Sequence, residues 1–156
     1  MKRLIYILFL CVLTHSLASC DFVASGSYPF AQGYDFDVST SELMRRIKEL
    51  KKEHPELNVF RINESGDTVD TDNESESFYR IRFKVITQKN DTLNMYCVVY
   101  RSPGQARLLF DRISSDLQYD FKHINTDELT DEENEFMKCC FEEKILNRTK
   151  LKWERR

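Results

Sequence analysis

The sequence predicts an α+β fold: a small antiparallel three-stranded meander with an N-terminal helix and two C-terminal helices packed on one face. Within the strand predicted over residues 78–88, residues 79–85 alternate strictly between apolar and charged side chains, which is typical of an antiparallel strand with one buried face. The turn at residues 89–91 is far too short for the crossover of a dozen or more residues that parallel strands require. Capping boxes before apolar stretches of helical spacing place helices on both sides of the strands.

The N-terminal helix is predicted over residues 40–54. Ser39 and Glu42 have the spacing of a capping box, and Pro55 ends the helix. The apolar side chains of this segment recur at helical spacing and are Leu43, Met44, Ile47 and Leu50.

Three strands are predicted over residues 57–62, 78–88 and 92–100, with a polar acidic loop over residues 63–77. The inward-facing positions of the second and third strands are Tyr79, Ile81, Phe83, Val85, Leu93, Met95, Cys97 and Val99. The opposite face of the meander carries the cations of the second strand beside a less polar row from the third.

Two further capping boxes predict the C-terminal helices. Residues 102–105 form one, with Pro103 at the first helical position, and they precede an apolar stripe. The members of that stripe are Ala106, Leu109, Phe110, Ile113 and Leu117. Residues 130–133 form the other box and begin the last helix. The globular domain is therefore predicted over residues 39–150, and residues 151–156 form a basic tail that frays.

Residues 1–20 have the pattern of an export signal. A positively charged start precedes an apolar run and small residues at a cut site. The run is shorter than the roughly 20 apolar residues that span a bilayer as a helix. Its end, Leu17-Ala18-Ser19-Cys20, resembles the lipobox that signal peptidase II recognises in bacterial lipoproteins. The resemblance implies cleavage between Ser19 and Cys20, a diacylglyceryl thioether on Cys20, and acylation of the new amino terminus by palmitate or a similar fatty acid.

The lipobox also predicts the organisation and location of the chain. Residues 1–19 are the signal peptide, and residues 20–38 are a lipid-anchored tether. The protein is then a membrane-anchored lipoprotein of the bacterial cell envelope whose domain faces the periplasm. The sequence leaves open whether the inner or the outer membrane holds it.

The charge of the mature chain argues against a nucleic-acid partner. Only Lys2 and Arg3 of the 23 cations are lost with the signal peptide, so 21 Lys and Arg remain against 26 Asp and Glu. The mature net charge is about −5, whereas nucleic-acid-binding domains are basic. The partners predicted from the sequence are the membrane, through the N-terminal lipid, and a protein of the envelope.

Three cysteines follow Cys20 in the chain, at Cys97, Cys139 and Cys140. Buried free thiols that behave as small apolar side chains are one interpretation. A disulfide between Cys97 and Cys140 is the alternative in an oxidising compartment. No Cys-x-x-Cys spacing occurs and few histidines remain, so no metal site and no cofactor are predicted.

No catalytic constellation is apparent in the sequence. A Cys–His site would require the fold to bring Cys97 to His123. The acidic loop begins like an EF-hand at Asp70, but Ser75 stands where glycine is needed and Ile81 where the bidentate glutamate belongs. We therefore predict that the protein is not an enzyme.

The predicted partner surface is the sheet face that combines cations with aromatic rings. Its members are Arg80, Arg82, Lys84, Tyr96 and Tyr100. A solvated face held by cation–π pairs is the alternative interpretation.

Two short segments, Asp67-Thr68-Val69 and Asp91-Thr92-Leu93, resemble the O-glycosylation sequon of exported proteins in one gut-dwelling bacterial phylum. The resemblance makes Thr68 and Thr92 candidate glycosylation sites.

Two functions are compatible with these observations. The first is a non-enzymatic, lipid-anchored envelope protein that presents its domain to a protein partner, as accessory to an envelope or secretion machine or as an immunity lipoprotein. The second is a small-ligand carrier or enzyme with a pocket between the sheet and the helices.

Overall fold

The computed structural model describes residues 28–87, 90–101, 103–115 and 120–156. The predicted signal peptide, its cleavage site at Ser19 and the lipidated Cys20 lie outside these residues, as does Ser102 of the second capping box.

The described chain contains nine strands and two α-helices. In chain order they are β1 (Gln32–Ser39), α1 (Thr40–Glu53), β2 (Phe60–Ile62), β3 (Thr68–Asp70), β4 (Asn73–Glu74), β5 (Phe78–Ile86), β6 (Thr92–Tyr100), β7 (Gln105–Ser114), β8 (Phe121–His123), α2 (Asp131–Phe141) and β9 (Trp153–Arg155). A 3₁₀ turn at Pro55–Leu57 follows α1, while a π-helical turn at Glu142–Leu146 and a 3₁₀ turn at Asn147–Thr149 follow α2.

The predicted three-stranded meander is wrong, because the main sheet has seven strands. Its order is β4-β5-β6-β7-β1-β9, and β8 pairs with the C-terminal part of β7. All of these pairings are antiparallel. Strands β2 and β3 form a separate two-stranded sheet. The first predicted strand therefore lies outside the main sheet, and the predicted acidic loop contributes β3 and β4.

The predicted helix after residue 102 is also wrong, because this segment is strand β7. Its apolar positions fit two periods, since Ala106, Phe110 and Ile113 have helical spacing while Ala106, Leu108 and Phe110 alternate. The alternating set is the one that is fully buried. Pairing with β6 on one side and β1 on the other places β7 inside the sheet, and these long-range pairings override the local helical pattern.

The domain extends beyond the predicted limits at both ends. β1 occupies part of the predicted tether and pairs with β7, and β9 occupies part of the predicted tail and pairs with β1. Aromatic packing joins β1 to β9, since the ring of Trp153 lies 5.6 Å from that of the fully buried Tyr34. Tyr34 and Phe36, the aromatic residues of the predicted tether that lie in β1, are therefore core residues and not part of a spacer.

Both helices pack on one face of the sheet and enclose the core. α1 agrees with the helix predicted over residues 40–54, and the capping box at Thr130 and Glu133 begins α2 as predicted. Phe141 lies at the centre of the core, with its ring stacked 4.5 Å from that of Phe110 and 6.1 Å from that of Phe83. The helix-covered face is thus filled, and the opposite face is the one available for binding.

Candidate binding cleft

A cleft of about 1050 Å³ lies over the sheet face that the helices leave uncovered. Its floor comes from β5, β6, β7 and β8, and its walls come from the segment before β1 and the loop after β8. The aromatic and charged side chains that line it include Tyr28, Phe78, Arg80, Asp111, Arg112 and His123. Aromatic rings and charged groups therefore share one cavity.

A β-bulge in β7 places two charged side chains in this cleft. Tyr96 of β6 pairs with Arg112, but the next residue, Cys97, pairs with Phe110, so Asp111 is the extra residue on β7. Such bulges bend the strand and redirect side chains. Asp111 and Arg112 both line the cleft, while Phe110 stays in the core.

Asp111 is a nearly buried carboxylate at the cleft floor, with its side chain 8% exposed. His123 Nδ1 lies 3.5 Å from one carboxylate oxygen, and Arg112 Nε lies 3.5 Å from the other. Burial raises the pKa of Asp111, and the neighbouring side chains of Arg112 and His123 oppose that rise without cancelling it. The cleft therefore contains an acidic group that is held partly out of water.

One asparagine joins the two walls of the cleft. Asn125 has φ near 60°, a left-handed conformation that asparagine tolerates better than most residues. Its side-chain amide donates a hydrogen bond of 3.0 Å to the carbonyl of Phe30, and it accepts one of 3.1 Å from Lys138 Nζ. Its backbone N–H donates to Asn134 of α2 at 2.7 Å. The loop after β8 thereby ties the segment before β1 to the last helix.

Aromatic rings form the apolar part of the cleft. Tyr28 meets Tyr100 edge to face, with ring centroids 6.4 Å apart. The guanidinium of Arg80 lies 4.7 Å above the ring of Phe78. Phe30 at the rim is 54% exposed. Exposed aromatic side chains rimmed by polar groups are typical of interaction sites.

The five residues of the predicted partner surface lie on the open face but differ in exposure. Arg80 and Lys84 are exposed, Arg82 is half-buried, and Tyr100 is half-buried at the cleft floor. Tyr96 is only 6% exposed, so its ring is not part of the accessible surface. The guanidiniums of Arg82 and Arg112 and the ring of Phe121 cover it, with the two guanidinium carbons 5.1 and 5.4 Å from its centroid.

A buried lysine holds β5 in place beneath this surface. Lys51 Nζ of α1 donates to Asp72 Oδ2 at 2.5 Å and to the carbonyl of Arg82 at 2.7 Å, and it lies 5.0 Å from the centroid of Phe83. Asp72 in turn accepts a hydrogen bond of 2.9 Å from the backbone N–H of Arg82. These bonds occupy the outer edge of β5, which otherwise has β4 as its strand neighbour only near Arg80.

The structure contains the three described cysteines as free thiols, so the alternative disulfide between Cys97 and Cys140 is not formed in it. Cys97 and Cys140 are buried, Cys139 is exposed, and burial raises the pKa of both buried thiols. Cys97 belongs to the core whereas His123 lines the cleft on the opposite sheet face. The fold therefore does not bring these two residues together as a Cys–His site.

The remaining candidate sites lie at the surface. Thr68 and Thr92 are exposed at the first positions of β3 and β6, and their glycosylation stays a prediction. Within the described ranges, no group of three or more His, Cys, Asp or Glu side chains could hold a metal ion.

Sequence reasoning missed Asp111, Arg112 and the cleft-lining role of His123. The helix predicted after residue 102 contains the first two, so the sequence pattern gives no reason to place them beside His123. The alternation of Ala106, Leu108 and Phe110 was the local signal that could have placed them on a strand. The bulge that turns both toward the cleft depends on pairing with β6 and has no comparable local signal.

No family model, curated protein or solved structure matches this chain. Among the residues that the structure describes, neither helix is long and apolar enough to cross a bilayer.

Proposed function

We propose that the protein is a non-enzymatic lipoprotein of the bacterial cell envelope that is anchored through Cys20 and binds a protein partner at the cleft on its open sheet face. The cleft is the observation that carries this proposal. It is open, holds about 1050 Å³ and combines tyrosine, phenylalanine and arginine side chains. These residue types are enriched in the cores of protein interfaces.

The position of the cleft supports an anchored binding protein. Tyr28 in the cleft wall follows Cys20 by eight residues, and eight residues reach at most about 28 Å when fully extended. A lipid on Cys20 would keep the cleft close to the membrane surface. The binding site would then face partners that are themselves embedded in, or attached to, the same membrane.

The packing of the core supports a binding surface over an internal carrier site. The alternative function requires a pocket between the sheet and the helices. In the described residues that space is occupied by fully buried side chains, the largest of which include Phe83, Phe110 and Phe141. The open face offers the room that the helix-covered face lacks.

Photo-crosslinking in the bacterial envelope tests the proposal. A photoreactive side chain at Lys84, which is exposed on the open face, should form an adduct with one defined protein. The matched control is the same side chain at Lys48, which is exposed on α1. Equal adducts from both positions, or none from Lys84, would refute a binding role for the open face.

The anchor is tested separately by the intact mass of protein isolated from membranes. The mature chain should begin at Cys20 and carry two or three acyl chains, and a Cys20→Ala variant should carry none. An unlipidated chain in both preparations would refute the anchor and leave the cleft proposal to stand on the crosslinks.

A further inference from the structure

The open face of β5 carries a row of cations on a chain that is acidic overall. Arg80, Arg82 and Lys84 point to the same side because they occupy alternate positions of the strand. Within the described part of the chain no carboxylate forms an ion pair with any of these three side chains. Most other arginines of the described chain are paired, as Arg45, Arg107 and Arg155 show. The two arginines of the row therefore depart from the pairing that most arginines of the described chain show, while Lys84 adds a third exposed cation.

The two arginines of this row are held against the sheet by aromatic rings. The guanidinium carbon of Arg80 lies 4.7 Å from the centroid of Phe78, and that of Arg82 lies 5.1 Å from the centroid of Tyr96. Cation–π contacts of this kind orient a guanidinium while leaving its N–H groups able to donate elsewhere. A planar guanidinium that is already oriented loses less side-chain entropy when it binds a carboxylate in a bidentate manner.

The spacing of the row matches an extended chain. Residues two apart on a strand are separated by about 6.7 Å, and a bound extended segment presents every second side chain at the same interval. Carboxylates at alternate positions of such a segment would face Arg80, Arg82 and Lys84 in turn. A helix presents side chains four residues apart at about 6 Å, a shorter interval than that of the row.

The edge of β5 does not favour strand addition. The backbone N–H and C=O of Arg82 already bond to Asp72 and Lys51, and β4 pairs with Arg80. A segment that added to the sheet would have to displace these contacts. The segment is therefore expected to lie across the open face and not along its edge.

The cleft adjoins the Arg80 end of the row and is more apolar than the row. Tyr28, Phe78 and Tyr100 supply its rings, and Arg80 belongs to both the cleft and the row. An apolar or aromatic side chain that follows the acidic stretch would enter the cleft, as buried aromatic anchors do in protein interfaces.

We infer that the partner presents an extended segment with acidic residues at alternate positions next to an apolar anchor, and that the carboxylates pair with Arg80, Arg82 and Lys84 while the anchor enters the cleft. This inference rests on the proposed function, because it specifies the chemistry of the partner at the same face. An acidic protein segment is the partner chosen, because its carboxylates complement the positive charge of the row.

Fluorescence anisotropy with the intact lipoprotein in neutral detergent tests the inference. The probe is a labelled peptide in which glutamate alternates with serine and phenylalanine ends the chain. It should bind more tightly than a peptide of the same composition with its glutamates contiguous, and a lysine analogue should not bind. Binding should weaken as salt is added, because exposed charge pairs are screened.

Arg80→Gln and Arg82→Gln should each weaken binding about fivefold, since each removes one charged pair from the surface. Arg61→Gln is the matched control, because Arg61 is exposed on β2 of the other sheet and should leave binding unchanged. Arg80→Lys and Arg82→Lys retain the charge and should lose less affinity. Thermal unfolding of each variant checks that the fold is intact.

Failure of the acidic peptide to bind would overturn the inference, and so would any of three other results. One is equal affinity for the alternating and the contiguous peptides, and another is no effect of either arginine substitution. The third is arginine-dependent binding to phosphatidylglycerol vesicles without peptide binding, which would assign the row to the membrane. If the Lys84 crosslink still identifies a partner while the acidic peptide does not bind, the proposed function stands and this inference alone fails.

Discussion

Replacing Lys51 with methionine should destabilise the protein by about 2–3 kcal/mol. The ammonium is 7% exposed and joins α1 to Asp72 and to the carbonyl of Arg82. Breaking a fully buried ion pair costs roughly 3–5 kcal/mol, because one charge is left unpaired. The loss of stability should be smaller here, because Asp72 is 28% exposed and still accepts the hydrogen bond from the backbone N–H of Arg82. For a chain of this size the change corresponds to a melting temperature lower by roughly 8 °C.

Urea unfolding at neutral pH measures this change, with Lys52→Met as the control. Lys52 is the exposed neighbour on α1, and its substitution should alter the free energy of unfolding by less than about 0.5 kcal/mol. A double-mutant cycle with Asp72→Asn should give a coupling of about 1–2 kcal/mol. The reasoning fails if Lys51→Met is no more destabilising than Lys52→Met, since the ammonium would then not hold β5.

Two further predictions concern the cleft floor and the core. Asp111→Asn should raise the free energy of unfolding at neutral pH, because burial raises the pKa of this carboxyl and its ionised form is disfavoured in the folded state. In the natural protein, protonated Asp111 is compatible with burial, and this contribution to stability is lost as pH rises from the ordinary pKa of the carboxyl through its raised pKa. The stability gained by Asp111→Asn should therefore be largest at neutral pH and shrink in acid. A gain in stability that does not vary with pH would contradict the raised pKa of Asp111. Phe141→Ala should cost about 3–5 kcal/mol in urea unfolding, because its fully buried ring stacks on Phe110. Phe136→Ala on the same helix is the comparison, since Phe136 is 38% exposed, and equal losses would show that Phe141 is not central to the core.

Local sequence signals were sufficient where an element is stabilised by its own residues. Ser39 caps the start of α1 and a full capping box at Thr130 begins α2, and the alternation in β5 correctly assigned Ile81, Phe83 and Val85 to the core. The same signals failed at β7, where one segment satisfies both a helical and a strand period. There the pairing with β6 and β1 decided the structure, and no local pattern in the segment predicts those pairings.

The candidate site was predictable only in part for the same reason. The basic row was evident from the alternation of β5, so Arg80 and Lys84 were correctly placed on the open face. Tyr96 was expected at the surface of that face, but neighbouring strands bring Arg112 and Phe121 over its ring. The burial of a side chain on a sheet depends on the residues of other strands, which are distant in sequence.

The sequence by itself determined which segments carry strong local preferences: the capped helix starts, the alternating strand with its cationic row, and the lipobox pattern that predicts the anchor. Only the tertiary structure decided that β1 and β9 join the sheet, that β7 is a strand with a bulge at Asp111, and that a cleft opens on the face away from the helices. Caps and alternation depend on residues a few positions apart. The cleft depends on hydrogen bonds and ring contacts between segments as far apart as Phe30 and Asn125, which the chain brings together only when it folds.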